Sequence, residues 1–98
     1  MIIKKGAILS GLDLRMRTAL KIADKIYRKY GQILTITSGL DGTHSCGSLH
    51  YYGLALDFRD RFFTDSDKVK VFNALSKELS SNYIVIQEST HIHIQWRF

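Results

Sequence analysis

The sequence predicts a small α+β domain in which two helices pack on a mostly antiparallel sheet. Two segments, residues 11–30 and 64–80, carry apolar side chains at helical spacing, and four shorter segments are apolar and rich in β-branched residues. The elements follow the order helix, strand, strand, helix, strand, strand, which favours an α+β arrangement. The 98 residues, 45% of them hydrophobic and 23% charged, have the size and composition of one globular domain. We therefore expect a single domain spanning residues 1–98.

The two helices have recognisable boundaries. The first is predicted from Gly11 to Tyr30, where Ser10 and Asp13 resemble a capping box and Gly31 suits the left-handed position that ends many helices. Its basic side is typical of a solvated surface. The second helix is predicted from Thr64 to Ser80, and a threonine is a good residue to cap its start.

The strands alternate with turn signals. A polar, glycine-rich loop is expected over residues 38–48, and the three residues 88–90 between the last two strands have the length of a hairpin turn. Proline is absent, so glycine and small polar residues supply the turns. The strands are expected at Ile33–Thr37, Gly53–Phe58, Tyr83–Gln87 and His91–Trp96.

Composition also limits the partners and the compartment. The net charge of +5 favours an anionic partner, such as nucleic acid, an anionic membrane surface or an acidic cell-wall polymer. No apolar run approaches the roughly 20 residues of a membrane span. Residues 1–6 include two lysines but precede no apolar block, so we expect synthesis in the cytoplasm without a signal peptide. The single cysteine, Cys46, excludes an internal disulfide.

A pair of histidines near the end of the chain is the first candidate for chemistry. In a strand, successive side chains point to opposite faces, so His91 and His93 share one face while Ile92 and Ile94 share the other. The isoleucines would anchor the strand in the core while the imidazoles face a cleft. A lone strand histidine is usually an ordinary polar residue, but two on one face indicate a site.

His50 and Asp57 form the second half of the candidate site. Asp57 follows an apolar stretch, where a carboxylate needs a cation or a hydrogen-bond partner. Gly53 permits a close backbone approach or an unusual turn between the two residues. Two imidazoles and one carboxylate would leave a fourth tetrahedral position open, as in catalytic zinc sites. We therefore expect the fold to bring His50, Asp57 and either His91 or His93 together around zinc.

A different metal site at His44, Cys46 and His50 is a weaker alternative. It lacks the paired cysteine spacing of closed structural zinc sites, so Cys46 is better interpreted as a small loop residue.

The motifs that carry these residues resemble a known family. Ser48-Leu49-His50-Tyr51-Tyr52-Gly53-Leu54-Ala55-Leu56-Asp57 matches the S-x-H-x-x-G-x-A-x-D pattern of the M15 family of zinc D,D-peptidases and related phage endolysins. The His-x-His motif resembles the second motif of a wider group that includes lysostaphin-like enzymes and the Hedgehog signalling domain. The resemblance covers about residues 38–96.

The resemblance implies a role for each matching residue. His50, Asp57 and His93 would be the zinc ligands, and His91 would be a non-ligand that stabilises the transition state or shuttles a proton. Glu88 would act as general base on the attacking water. The implied catalytic residues are Glu88, His91 and His44, the last matching a histidine that the Hedgehog domain carries at the same offset.

The chain departs from the family pattern at two places. Many members have glutamate three residues before the ligand histidine, a spacing that here joins Glu88 to His91, so His91 is the alternative third ligand. We favour His93 because it completes the His-x-His motif and has β-branched neighbours.

The second departure follows Ser38-Gly39. Many carboxypeptidase members place an aromatic residue and a carboxylate-binding arginine there, whereas this chain has Leu40-Asp41. Strict carboxypeptidase specificity is therefore not implied, and endopeptidase action stays open. The possible substitutes for the arginine are Arg59, Arg61 and Arg97.

The resemblance implies hydrolysis of a peptidoglycan stem peptide, at D-Ala-D-Ala or at L-Ala-D-Glu. Small size without a signal or a wall-binding module is typical of a phage or virion-associated lysin. We expect a monomer that acts at the bacterial cell wall, with no nucleic-acid partner and no membrane insertion. Two alternatives are a zinc-containing binding module without turnover and a basic nucleic-acid-binding domain. The first helix carries no base-reading constellation that would favour the latter.

Overall fold

A computed structural model describes residues 1–41 and 48–98, and its architecture is the predicted α+β fold. A short 3-10 helix, Leu49–Tyr52, lies between the second and third strands. In chain order the other elements are β1 (Ile2–Ile3), α1 (Leu14–Lys29), β2 (Thr35–Ser38), β3 (Ala55–Arg59), α2 (Asp65–Leu79), β4 (Tyr83–Gln87) and β5 (His91–Trp96).

The five strands form one mixed sheet in the order β1-β2-β3-β5-β4. All neighbouring pairs are antiparallel except β1 and β2, which are parallel. The sequence does not predict β1, because two exposed isoleucines are too few to show a periodic pattern. The Ile2 amide donates to the Leu34 carbonyl at 2.7 Å, and the Lys4 amide donates to the Ile36 carbonyl at 2.9 Å.

The helices cover one face of the sheet. Ile92 and Ile94 of β5 are completely buried and join the core together with Met16 of α1 and Val71 and Leu75 of α2. The alternate residues of β5 therefore point to the opposite face. Strand alternation thus places the histidines of β5 away from the helices, as the sequence predicts.

The first helix begins three residues later than predicted. Asp13 is its N-cap and accepts a hydrogen bond from the Arg15 amide at 2.9 Å, whereas the predicted cap was Ser10. Gly11 has a φ of +85°, outside the helical region, so helical geometry cannot include it. At the other end Gly31 has a φ of +78°, as expected for the residue that follows a helix.

The remaining elements lie close to their predicted positions. Thr64 caps α2 by accepting from the Asp67 amide at 3.1 Å, and β4 and β5 have the predicted bounds. The strand predicted from Gly53 begins at Ala55 instead, because Gly53 ends the 3-10 helix. No helix within the described ranges is both long and apolar enough to cross a membrane.

Candidate metal centre

The pairing of β3 with β5 brings the first two ligand candidates together. Asp57 and His93 are directly opposite each other in this antiparallel pair. Because their neighbours Phe58, Ile92 and Ile94 are fully buried, both residues point to the face of the sheet away from the helices. The Nδ1 atom of His93 lies 2.8 Å from Oδ1 of Asp57.

His50 reaches the same point from the 3-10 helix. The Ser48 hydroxyl accepts from the His50 amide at 3.3 Å, and Gly53 ends the turn with a φ of +69°. A side chain at Gly53 would place its Cβ 2.5 Å from the Gly11 carbonyl oxygen, so this position requires glycine. His50 is buried, and its Nε2 atom lies 3.4 Å from Asp57 Oδ1.

His50, Asp57 and His93 thus form a group that can hold a metal ion. Each offers one ligand atom, and the three atoms lie within 4.8 Å of one another. The donors are two imidazole nitrogens and one carboxylate oxygen. This is the ligand class of three-residue zinc sites, in which a fourth position is left for water or substrate.

The hydrogen bond on the far side of His50 supports this assignment. Nδ1 of His50 lies 2.8 Å from the Gly39 carbonyl oxygen, which can only accept, so Nδ1 carries a proton. Nε2 is then the nitrogen directed towards the Asp57 carboxylate, 3.4 Å from its Oδ1 atom. An imidazole nitrogen and a carboxylate oxygen that face each other in this way are a donor pair that fits a metal ion.

The ring of His93 is oriented in the same manner by Gln95. The Nε2 atom of His93 lies 2.7 Å from Gln95 Oε1, so Nε2–H donates and Nδ1 is directed towards Asp57. Such an outer partner fixes which nitrogen a metal meets. Gln95 is not among the residues that the sequence pattern indicated. Its position two residues after His93, on the same face of β5, is the signal that would have indicated it.

The carboxylate and the imidazoles of the group shift one another's pKa values. Burial by itself would raise the pKa of Asp57, but the interactions with His50 and His93 outweigh it and hold that pKa well below its usual range. Burial would lower the pKa of His93, but the hydrogen bonds with Asp57 and Gln95 outweigh it and raise that pKa. Asp57 is therefore an anion at neutral pH, as a metal ligand must be.

His91 stands at the edge of the group. Its Nε2 atom lies 3.7 Å from Asp57 Oδ1, and its Nδ1 atom lies 3.2 Å from the Thr90 hydroxyl. The side chain is 31% exposed, twice the exposure of His93. His91 is not a member of the three-residue group, which favours His93 over His91 as the third ligand.

Glu88 lies in the turn between β4 and β5. Its amide donates to the His91 carbonyl at 2.9 Å, and its side chain is exposed. In the described part of the chain no hydrogen bond or ion pair joins its carboxylate to the three ligand candidates, although its charge contributes to the raised pKa of His93. The other candidates of the sequence analysis, His44 and Cys46, lie outside the described residues.

Asp41, which stands where the family pattern has arginine, organises the backbone beside His50. Its Oδ1 atom accepts from the Gly39 amide at 2.7 Å and from the Ile8 amide at 2.8 Å. Burial would raise the pKa of Asp41, but these hydrogen bonds lower it. The carboxylate thus holds Gly39, whose carbonyl in turn orients His50.

The three arginines proposed as substitutes lie in different places. Arg59 is directly opposite His91 in the β3–β5 pair, and Arg61 lines the same surface pocket as Arg59 and His91. Arg97 instead contacts the turn before β4, where its Nε donates to the Ser81 carbonyl at 2.9 Å. Arg59 and Arg61 are therefore the pair near the candidate metal centre.

Comparisons with known proteins add no further assignment. No protein-family model matches the chain, and no significant match is found among curated proteins.

Proposed function

We propose that this chain is a zinc-dependent peptidase that hydrolyses peptidoglycan stem peptides. The observation that carries the proposal is the convergence of His50, Asp57 and His93, with ligand atoms within 4.8 Å of one another. Three protein ligands with two imidazoles are typical of catalytic zinc sites, whereas structural sites use four ligands that are mostly thiolates.

Each residue would contribute a separate part of the chemistry. Bound at His50, Asp57 and His93, zinc supplies a Lewis acid that polarises a peptide carbonyl and lowers the pKa of water. The imidazole of His91, at the edge of the group, would donate a hydrogen bond to the developing oxyanion. Glu88 would take the proton of the attacking water and pass it to the leaving amine, after a rotation of its exposed side chain.

The substrate class follows from the resemblance of residues 48–57 to the peptidase motif. The bond would be D-Ala-D-Ala or L-Ala-D-Glu, and the net charge of +5 suits an anionic cell wall. The biological setting we propose is that of a phage or virion-associated lysin acting on the bacterial wall.

Metal content and digestion of purified peptidoglycan, with and without chelator, test this proposal. We expect about one zinc per chain and chelator-sensitive release of new amino groups. Mass spectra of the fragments would identify the bond. A chain that takes up no zinc would contradict the proposal.

Variants then assign the ligand and non-ligand roles. Asp57→Asn and His93→Ala should lose both zinc and activity, whereas His91→Ala and Glu88→Gln should retain zinc. For Glu88→Gln we expect a fall in kcat of about 10²–10⁴-fold, the usual contribution of a general base. Loss of zinc from His91→Ala but not from His93→Ala would reverse the ligand assignment.

A zinc-binding module without turnover is the second candidate. The exposed Glu88 side chain favours it, because within the described residues no hydrogen bond or ion pair joins that carboxylate to the ligand candidates. Such a module would bind zinc without releasing amino groups from peptidoglycan, and Glu88→Gln would leave its binding unchanged.

A further inference from the structure

A basic pocket adjoins the candidate metal centre on the same side of the sheet. It is open to the surface, has a cavity volume of about 400 Å³ and is lined by Lys4, Arg59, Arg61 and His91, with Thr37 and Thr90. His91 connects the pocket to the candidate metal centre, because its Nε2 atom lies 3.7 Å from Asp57 Oδ1. A molecule in the pocket would therefore lie beside the metal ligands.

In the part of the chain that the structure describes, no carboxylate pairs with the lysine and the two arginines of this pocket. No acidic side chain lines it, and among the described residues none of Lys4, Arg59 and Arg61 forms an ion pair. Asp60 lies between the two arginines in the sequence, but its side chain is buried and accepts a hydrogen bond from Gln87. Three cations around one pocket repel one another unless an anion binds there.

Both arginines lie beside the ring of Phe62. The Arg61 guanidinium lies 5.0 Å from the centre of the Phe62 ring, and that of Arg59 lies 6.0 Å from it. Phe62 is 63% exposed, so the face of its ring is accessible to the guanidinium groups. Guanidinium groups so placed can bind a carboxylate through paired hydrogen bonds.

The spacing along β3 matches the size of a peptide. Asp57 and Arg59 point to the same face and are two residues apart in a strand, which corresponds to about 7 Å. An extended peptide advances by about 3.3–3.6 Å per residue. A carboxylate bound at Arg59 would thus lie one or two residues from a peptide carbonyl at the metal.

We propose that Lys4, Arg59 and Arg61 form a subsite that binds a carboxylate of the peptide substrate, next to the bond that is cleaved. The inference rests on the proposed function for the identity of the peptide. The carboxylate can come from two sources, a free C-terminus or the α-carboxyl group of a γ-linked glutamate.

Binding of matched peptides to the chelator-treated full chain tests the subsite without turnover. One pair of acylated peptides would end in a free carboxylate or a carboxamide, and a second pair would carry γ-linked glutamate or its α-amide. Affinities would be measured by NMR titration at constant ionic strength. We expect one carboxylate peptide to bind at least tenfold more tightly than its amide, and the pair that responds identifies the source.

Variants connect that preference to the pocket. The double variant Arg59→Gln/Arg61→Gln should lose the preference for carboxylate while its amide peptide binds as before. A control with the same change in net charge, Lys21→Gln/Lys25→Gln on the exposed side of α1, should keep the preference. Should the arginine pair be needed for folding, Arg61→Gln alone, at an exposed position, should still weaken the preference severalfold.

Several results would overturn the subsite. They are equal binding of carboxylate and amide peptides, an equal loss in the α1 control, and no binding of any peptide at millimolar concentration. The two proposals can fail separately. Discrimination without hydrolysis by the zinc-loaded chain would contradict only the peptidase, and hydrolysis without discrimination would contradict only the subsite.

Discussion

Each histidine of the candidate metal centre has an acceptor on the side away from the metal position. For His50 the acceptor is the Gly39 carbonyl at 2.8 Å, and for His93 it is Gln95 Oε1 at 2.7 Å. These bonds select the tautomer and the ring orientation, so the ligand nitrogens are in place before a metal binds. Preorganisation of this kind is a usual source of metal affinity.

Replacing Gln95 should weaken metal binding while leaving all three ligands in place. Gln95→Leu removes the acceptor of His93 Nε2, so the proton can move to Nδ1 and compete with the metal. We expect a loss of about 10–100-fold in zinc affinity, measured by competition with a chelator of known affinity.

The matched control is Gln32→Leu, since Gln32 bonds to the Phe62 carbonyl and not to a ligand. The nitrogen shifts of the His93 ring should change only in the Gln95 variant. Equal affinity in wild type and Gln95→Leu would exclude a positioning role.

The residues of the candidate metal centre could be predicted from the sequence, but the hydrogen-bond partners of its histidines could not. Strand alternation placed His91 and His93 on one face, and Asp57 stood out as a carboxylate in an apolar stretch. The Gly39 carbonyl has no sequence signal, because any residue carries one. Gln95 is a common solvated strand residue, and only the fold shows its contact with His93.

At the scale of elements, the 3-10 helix that carries His50 depends on the segment before α1. The Asp13 amide donates to the Gly53 carbonyl at 3.0 Å, and the Gly11 carbonyl oxygen would lie 2.5 Å from any Cβ at Gly53. The start of α1 and the end of the 3-10 helix therefore lie in backbone contact. This contact also explains why the segment before Leu14 turns instead of continuing as helix.

Gly53→Ala should therefore destabilise the fold more than an ordinary glycine replacement does. Gly31→Ala is the matched control, because Gly31 also has a positive φ but has no atom within 4 Å of an added Cβ. We expect about 1 kcal/mol for the control, from the left-handed backbone alone. The loss in the free energy of unfolding should be larger for Gly53→Ala, because the added Cβ must also displace the Gly11 backbone.

Urea unfolding of both variants would measure the two free energies of unfolding. Equal losses would mean that the Gly11 contact adjusts at no cost. A zinc affinity that falls in Gly53→Ala but not in Gly31→Ala would further show that the contact positions His50.

Element boundaries were less predictable than element types. The predicted strand began at Gly53, whereas β3 begins at Ala55, after the 3-10 helix that Gly53 ends. The only sequence signals of that 3-10 helix are Ser48 before it and Gly53 after it. Strand β1 escaped prediction because its pairing with β2 is a tertiary contact of two residues. Helix α2, by contrast, has both a capping threonine and a clear apolar face, and it lies where predicted.

At the scale of the whole molecule, the three ligand candidates belong to elements that only the folded sheet brings together. The class of fold followed from the order of the elements, but the sequence did not say whether β3 would pair with β4 or with β5. The observed pairing with β5 places Asp57 opposite His93, and a different strand order would have separated them. The site therefore depends on the topology of the sheet, which spacing alone does not determine.

Zinc should stabilise the folded chain, since the unfolded chain does not hold the three ligands together. Binding to the native state alone adds about 2.7 kcal/mol at a free zinc concentration 100 times the Kd. We expect the midpoint of thermal unfolding to rise with zinc concentration. In Asp57→Asn the rise should disappear, because the ligand set is incomplete.

Binding of magnesium in place of zinc serves as the control for general ionic effects, since magnesium prefers oxygen ligands. If the unfolding midpoint rises equally with both metals, or still rises with zinc in Asp57→Asn, the stabilisation does not come from this group.

The pH dependence of zinc binding should reflect His93. The hydrogen bonds with Asp57 and Gln95 raise its pKa in the metal-free fold, so the ring keeps its second proton to a higher pH than an ordinary histidine, whose pKa is about 6.5. Zinc must displace that proton, and its apparent affinity should start to fall at a higher pH than this ordinary value. Asp57 has a lowered pKa and stays ionised through this range, so it adds nothing to the pH dependence of zinc affinity.

Chelator competition at a series of pH values from about 8.5 to about 5.5 would measure this dependence around the ordinary histidine pKa. In Gln95→Leu one of the hydrogen bonds that raise the pKa of His93 is gone. The zinc affinity at high pH should therefore be weaker than in the wild type, and it should start to fall only at a lower pH. A curve that keeps its midpoint in Gln95→Leu would mean that protons compete with zinc at another ligand. His50 would then be the residue to replace, since it is the other imidazole of the group.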